Sequence, residues 1–104
     1  MEFIFHQRIS YDLRTALSYY EAEGGMKLAD RFYDKVELAM SQIAKNPTGH
    51  HFSDGGYRRV QLETFPYNVL YEVDGSFIWI AVIRHNSRHN SRHPSFGLRR
   101  KKNG

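Results

Sequence analysis

The run YRRVQLETFPYNVLYEVDGSFIWIAVI, residues 57–83, holds three strand signals in close succession. Over residues 57–63 polar and apolar side chains alternate and set Val60 and Leu62 on one face, as on a half-buried strand. Phe65-Pro66 marks a turn. Residues 68–73 form a second strand, and Asp74-Gly75 suits the tight two-residue reversal of a hairpin. Residues 77–83 are apolar at every position, so this strand has two faces to bury and belongs in the middle of a sheet.

Upstream, the period of the apolar residues changes from two to that of a helix. Ala29, Phe32, Val36, Ala39, Met40 and Ile43 make one stripe over residues 26–45, and Asn46-Pro47 ends it. Ile9, Leu13, Ala16, Leu17 and Tyr20 make another, with Ser10 as the expected N-cap. Gly24-Gly25 separates the two, because glycine takes the left-handed conformation at a helix end without strain. Two amphipathic helices around a Gly-Gly turn predict an antiparallel helical hairpin. Residues 3–6, Phe-Ile-Phe-His, predict a short strand, and residues 48–56 a loop. The fold class that follows is α+β: a helical hairpin packed on a small antiparallel β-sheet in the order β-α-α-β-β-β. Phe32, Val36, Ile43, Val60, Leu62, Val69, Ile80 and Val82 are the expected core, together with Trp79.

Downstream the chain turns basic. Residues 1–83 hold eight Lys/Arg against eleven Asp/Glu, a net of −3, whereas residues 84–104 hold seven Lys/Arg and no acid. We therefore divide the chain into a domain over 1–84 and a basic C-terminal tail over 85–104. Such a tail is a field for anions, either phosphates or an acidic protein segment. It opens with a tandem repeat, His85-Asn86-Ser87-Arg88 followed at once by His89-Asn90-Ser91-Arg92, then His93-Pro94. His85, His89 and His93 recur every four residues, which would align metal ligands on a helix. Asn, Ser and Pro disfavour helix there and duplication explains the spacing, so no metal and no cofactor is expected. There is no cysteine, so disulfide and thiolate chemistry are excluded. No apolar run reaches the roughly 18 residues of a membrane span, and the N-terminal residues lack the pattern of a signal peptide. A cytoplasmic domain without membrane contact is the expectation.

Several pieces, taken in order, resemble the RelE/ParE toxin superfamily on its plasmid-stabilisation, ParE-like side. They are Asp12-Leu13 and Tyr19-Tyr20-Glu21, then Arg31-Phe32, Ile43 and Asn46-Pro47, then Arg58-Arg59 and Phe65-Pro66-Tyr67 with Val69 and Tyr71. Arg84-His85 and Arg92-His93-Pro94 close the series. The resemblance implies the toxin half of a type II toxin–antitoxin pair. Such a protein arrests bacterial growth, is neutralised by a cognate antitoxin in a hetero-oligomer, and targets either DNA gyrase or mRNA on the translating ribosome.

The two targets ask for different chemistry. Metal-independent RNA cleavage needs a base for the ribose 2′-hydroxyl and fixed cations for the charged phosphorane. His85, Arg59 and Arg88 are the catalytic candidates, since histidine titrates near neutrality and arginine grips phosphate with a permanent charge. Arg58, Arg59, Arg84, Arg88, Arg92, Arg99 and Arg100 are the candidates for binding a target or antitoxin. The chain departs from the RelE-like pattern at Asn68, where those RNases commonly carry an arginine, and in having no tyrosine after Tyr71. Phe96 cannot transfer protons. These departures favour a toxin that acts by binding over one that cuts RNA. Arg58 and Arg59 also admit a purely structural reading as charges that guard a strand edge.

Overall fold

A computed structural model describes residues 1–88 of the chain. Strand β1 (Glu2–Phe5) leads into a helical region α1 (Arg8–Lys45), followed by a 3₁₀ turn (Asp54–Gly56) and strands β2 (Arg58–Gln61), β3 (Tyr67–Asp74) and β4 (Phe77–His85). A second 3₁₀ turn spans Asn86–Arg88. The helical region is one run of residues but two arms. Gly24 (φ −145°) and Gly25 (φ 79°) leave the helical conformation, and the arms fold back on each other there. Tyr20 and Phe32 prove the reversal: their rings stack at 5.1 Å, although twelve residues of straight helix would separate them by about 18 Å.

The first arm starts two residues before the expected cap. Ser10 lies inside the first turn, and its hydroxyl donates weakly to the Gln7 carbonyl at 3.4 Å. His6 caps instead: its Nδ1 accepts the Arg8 N–H at 3.1 Å and its carbonyl accepts the Ile9 N–H at 2.9 Å. An imidazole lone pair serves the orphan N–H of a first turn as a serine oxygen would.

The sheet order is β1-β4-β3-β2. β2–β3 and β3–β4 are antiparallel, as the turns between them require. β1 runs parallel to β4, so the sheet is mixed rather than antiparallel throughout. Parity explains the difference. The two helical arms return the chain to its starting end, β2 repeats the direction of β1, and two tight reversals give β4 that direction again. The all-apolar strand sits between β1 and β3, in the interior position its composition demands.

One core lies between the arms and the sheet. Ile9, Ala16, Tyr20, Phe32, Val36 and Ile43 meet Val60, Leu62, Phe65, Val69, Tyr71, Ile78, Ile80 and Ile83. A smaller cluster of Tyr57, Leu70, Ala81 and Val82 occupies the other face. All eight predicted aliphatic and aromatic core positions are buried. Trp79 is only half-buried, because it alternates with the buried Ile78 and Ile80 and faces away from the arms. Among the described residues no helix is long and apolar enough to cross a membrane.

Candidate functional site

β1 is shorter than β4, and this mismatch creates the site. The ladder between them ends at Phe5 and Ile80, with His6 N–H reaching the Ile80 carbonyl at 3.0 Å. β4 continues to His85 with its β1-side edge open. The first helical arm crosses that gap, and a cleft of about 470 Å³ remains between them. Arg8, Asp12 and Tyr19 line it from the arm, Tyr67 from β3, and Ile83, Arg84 and His85 from β4.

Asp12 forms the floor. It is only 8% exposed. Its Oδ2 accepts the Ile83 N–H at 3.1 Å across 71 residues of chain, replacing the strand partner that β1 is too short to provide. Its Oδ1 accepts from Arg8, with Nε at 3.2 Å and Nη2 at 3.1 Å. Burial pushes the Asp12 carboxyl above its ordinary 3.8, outweighing the opposing pull of the Ile83 N–H and of Arg8. Burial likewise raises the Tyr20 hydroxyl, with Tyr67 and Tyr19 adding to the shift.

His85 stands at the rim, its ring edge-on to Tyr67 at 5.2 Å. Its Nδ1 accepts the Ser87 backbone N–H at 3.1 Å and lies 2.8 Å from the Ser87 hydroxyl. With Nδ1 accepting the Ser87 N–H, the neutral ring carries its proton on Nε2, which is then a hydrogen-bond donor. A general base would need a free lone pair there.

The other predicted residues are placed apart. Arg58 Nη1 donates to the His50 carbonyl at 2.8 Å, and the guanidinium lies 4.1 Å above the Phe52 ring. It holds the 50–52 segment against β2. Arg59 is exposed and pairs in register with Leu70, on the sheet face away from the arms. Arg84, 3% exposed, alternates with His85 and shares Arg59's face, while His85 projects to the helical side. The sheet therefore separates Arg59 from His85. Arg88 ends the second 3₁₀ turn. Arg92, Arg99, Arg100, His89 and His93 lie outside the described residues.

Asn68 is buried, and its amide donates to Asn86 Oδ1 at 2.6 Å. Asn86 in turn donates to Gln61 Oε1 at 3.3 Å, and Gln61 to the Phe65 carbonyl at 2.9 Å. These amides tie the turn after β4 to β3 and β2. Sequence reasoning missed Arg8 and gave Asp12 no chemical role. The signal was there: Asp12 falls on the buried stripe between Ile9 and Ala16, and a carboxylate at such a position must find donors.

The profile of the family described as ParE toxin of type II toxin-antitoxin system, parDE, matches residues 3–90. Among solved structures, one described as the chromosomal ParDE TA system from P. aeruginosa superposes with a TM-score of 0.72. It is 18% identical, over 82% of this chain and 95% of that one, a likeness of fold. No curated protein matches the chain.

Proposed function

Because the chain belongs to the ParE toxin family of type II toxin–antitoxin systems, we propose that it arrests bacterial growth by binding its target, DNA gyrase, and that a cognate antitoxin neutralises it in the cytoplasm. The cleft beside β4 is the contact surface in this reading. The observation that carries it is the state of His85, whose Nδ1 is engaged by Ser87. A side chain that presents only a donor suits recognition of an anionic or carbonyl group and does not suit removal of a 2′-hydroxyl proton. Two placements agree with it. Asn68 uses its amide to hold the turn after β4. Arg58 is bound to the 50–52 segment.

The second reading, a ribosome-dependent endoribonuclease, draws on Arg59, which is exposed on the sheet face away from the arms, where a phosphate can reach it. Induction of the protein in bacteria separates the two. Gyrase binding gives chromosome breakage and inhibits supercoiling by purified gyrase, with transcripts intact. RNA cleavage gives cut transcripts with supercoiling unaffected. Co-expression of the adjacent reading frame tests neutralisation: growth should be restored and a complex recovered.

A further inference from the structure

The two edges of the sheet are finished differently. β2 carries Arg58 and Arg59, and residues 51–52 run beside it: Arg59 N–H donates to the His51 carbonyl at 2.9 Å, and Phe52 bridges Arg58. Charge and a covering segment are the ordinary protections of an edge. β1 has neither along Phe3, Ile4 and Phe5 among the described residues. In its ladder with β4, Glu2 N–H reaches the Ser76 carbonyl at 3.1 Å and His6 N–H reaches the Ile80 carbonyl. Backbone groups alternate in direction along a strand, so the N–H and C=O of Phe3 and Phe5 point outward. The side chains of this edge are apolar and open: Met1 is 65% exposed and Phe5 50%.

We propose that β1 pairs with β1 of a second copy of this chain, antiparallel about a twofold axis through Ile4. The pattern of the strand is self-complementary in that register. Phe3 of each copy faces Phe5 of the other, and the four outward groups of each strand find partners at once, making four backbone hydrogen bonds. The Phe3 and Phe5 rings, stacked at 5.8 Å within one copy, continue into an aromatic row across the dyad. Glu2 comes opposite His6 rather than opposite a second carboxylate, so no like charges meet. A register shifted by two residues either way leaves outward groups unmatched. The product is one continuous eight-stranded sheet, with each copy's protected β2 at its far edge.

The test is sedimentation of the purified chain across a range of concentrations, with two variants. Phe5→Pro deletes an outward N–H while keeping the Glu2, Ile4 and His6 donors to β4, and edge strands accept proline there. Phe5→Lys keeps the N–H and brings two like charges near the dyad. The wild type should move from 12.2 kDa to twice that mass with rising concentration. Each variant should weaken the association by at least about tenfold, as expected for lost interface hydrogen bonds or like-charge repulsion. Melting temperatures should stay close to wild type, and Phe52→Lys on the opposite edge should still dimerise. Slowed exchange of the Phe3 and Phe5 amides at high concentration locates the contact. If Phe5→Pro misfolds, Phe5→Lys gives the same reading. A wild type that stays monomeric, or a dimer indifferent to both substitutions, overturns the proposal.

Discussion

The loop side of the sheet, around β2, and the open end of β4 hold similar residue types but use them in opposite ways. Around β2 the polar groups are turned inward. Arg58 binds the His50 carbonyl, His50 Nε2 lies 3.2 Å from the Gln42 carbonyl, and the Tyr71 hydroxyl donates to the Pro47 carbonyl. Each satisfies a backbone acceptor and fastens residues 47–52 to the second helical arm and the sheet. At the end of β4, Arg8, Tyr19 and His85 border a concavity instead. The difference lies in where each strand stops. β2 is followed along its edge by another segment, and β4 outruns its neighbour.

Both regions rest on one core, so the largest effect comes from breaking that. Ile80 is fully buried at the level where β1 ends. Ile80→Ala should cost about 2–5 kcal/mol in denaturant unfolding, and it should loosen the β2 side and the cleft together. A loss of protection at one region only would mean that they do not share a floor.

Asp12 should affect the cleft alone. Asp12→Ala leaves the buried Ile83 N–H without its acceptor, at about 1–3 kcal/mol, and should raise hydrogen exchange at the end of β4 while sparing β2. Its pH signature has a definite sign. A carboxyl raised by burial binds its proton more tightly in the folded chain than in the unfolded one. Its contribution to stability is therefore fully present below 3.8 and is lost as pH rises from there through the raised folded value. Asp12→Asn should flatten that segment of the stability–pH curve. An unchanged curve would show that the carboxyl is not held by burial as described.

On the β2 side, Tyr71→Phe removes one hydrogen bond to the Pro47 carbonyl and should cost about 1 kcal/mol, with growth arrest retained. If arrest were lost while the protein stayed folded, the loop side would have a role beyond structure.

The smallest expected effect is at the repeat. Deleting residues 85–88 joins Arg84 to a second His-Asn-Ser-Arg, so the residues that cap Nδ1 and reach Asn68 and Gln61 are regenerated. Melting temperature should not change. A clear drop would show that the two copies are not equivalent.

Much of this layout was legible in the sequence, and the reason is periodicity. The run of apolar residues over 77–83 announced an interior strand, the Gly-Gly pair announced the reversal of the arms, and both stripes named the buried positions. Strand direction was less legible. β1 reads the same whether it pairs parallel or antiparallel, and only the count of reversals decides. The cleft was less legible still. It arises from a difference in strand length between elements some 75 residues apart, and from Asp12 meeting an amide 71 residues away, which no local pattern encodes. Arg58 and Arg59 had to take opposite faces of their strand, but periodicity alone did not say which of them would meet the 50–52 segment.

The central claim is that the cleft beside β4, rather than the β2 arginines, makes this chain a toxin. Growth arrest by two double variants tests it most directly, with equal expression and unchanged melting confirmed for both. Tyr19→Ala with His85→Ala alters the cleft rim, and Arg58→Gln with Arg59→Gln alters the strand. The account predicts that the first pair loses growth arrest and that the second retains it. Arrest that survives the cleft variant but disappears with the strand arginines would contradict it.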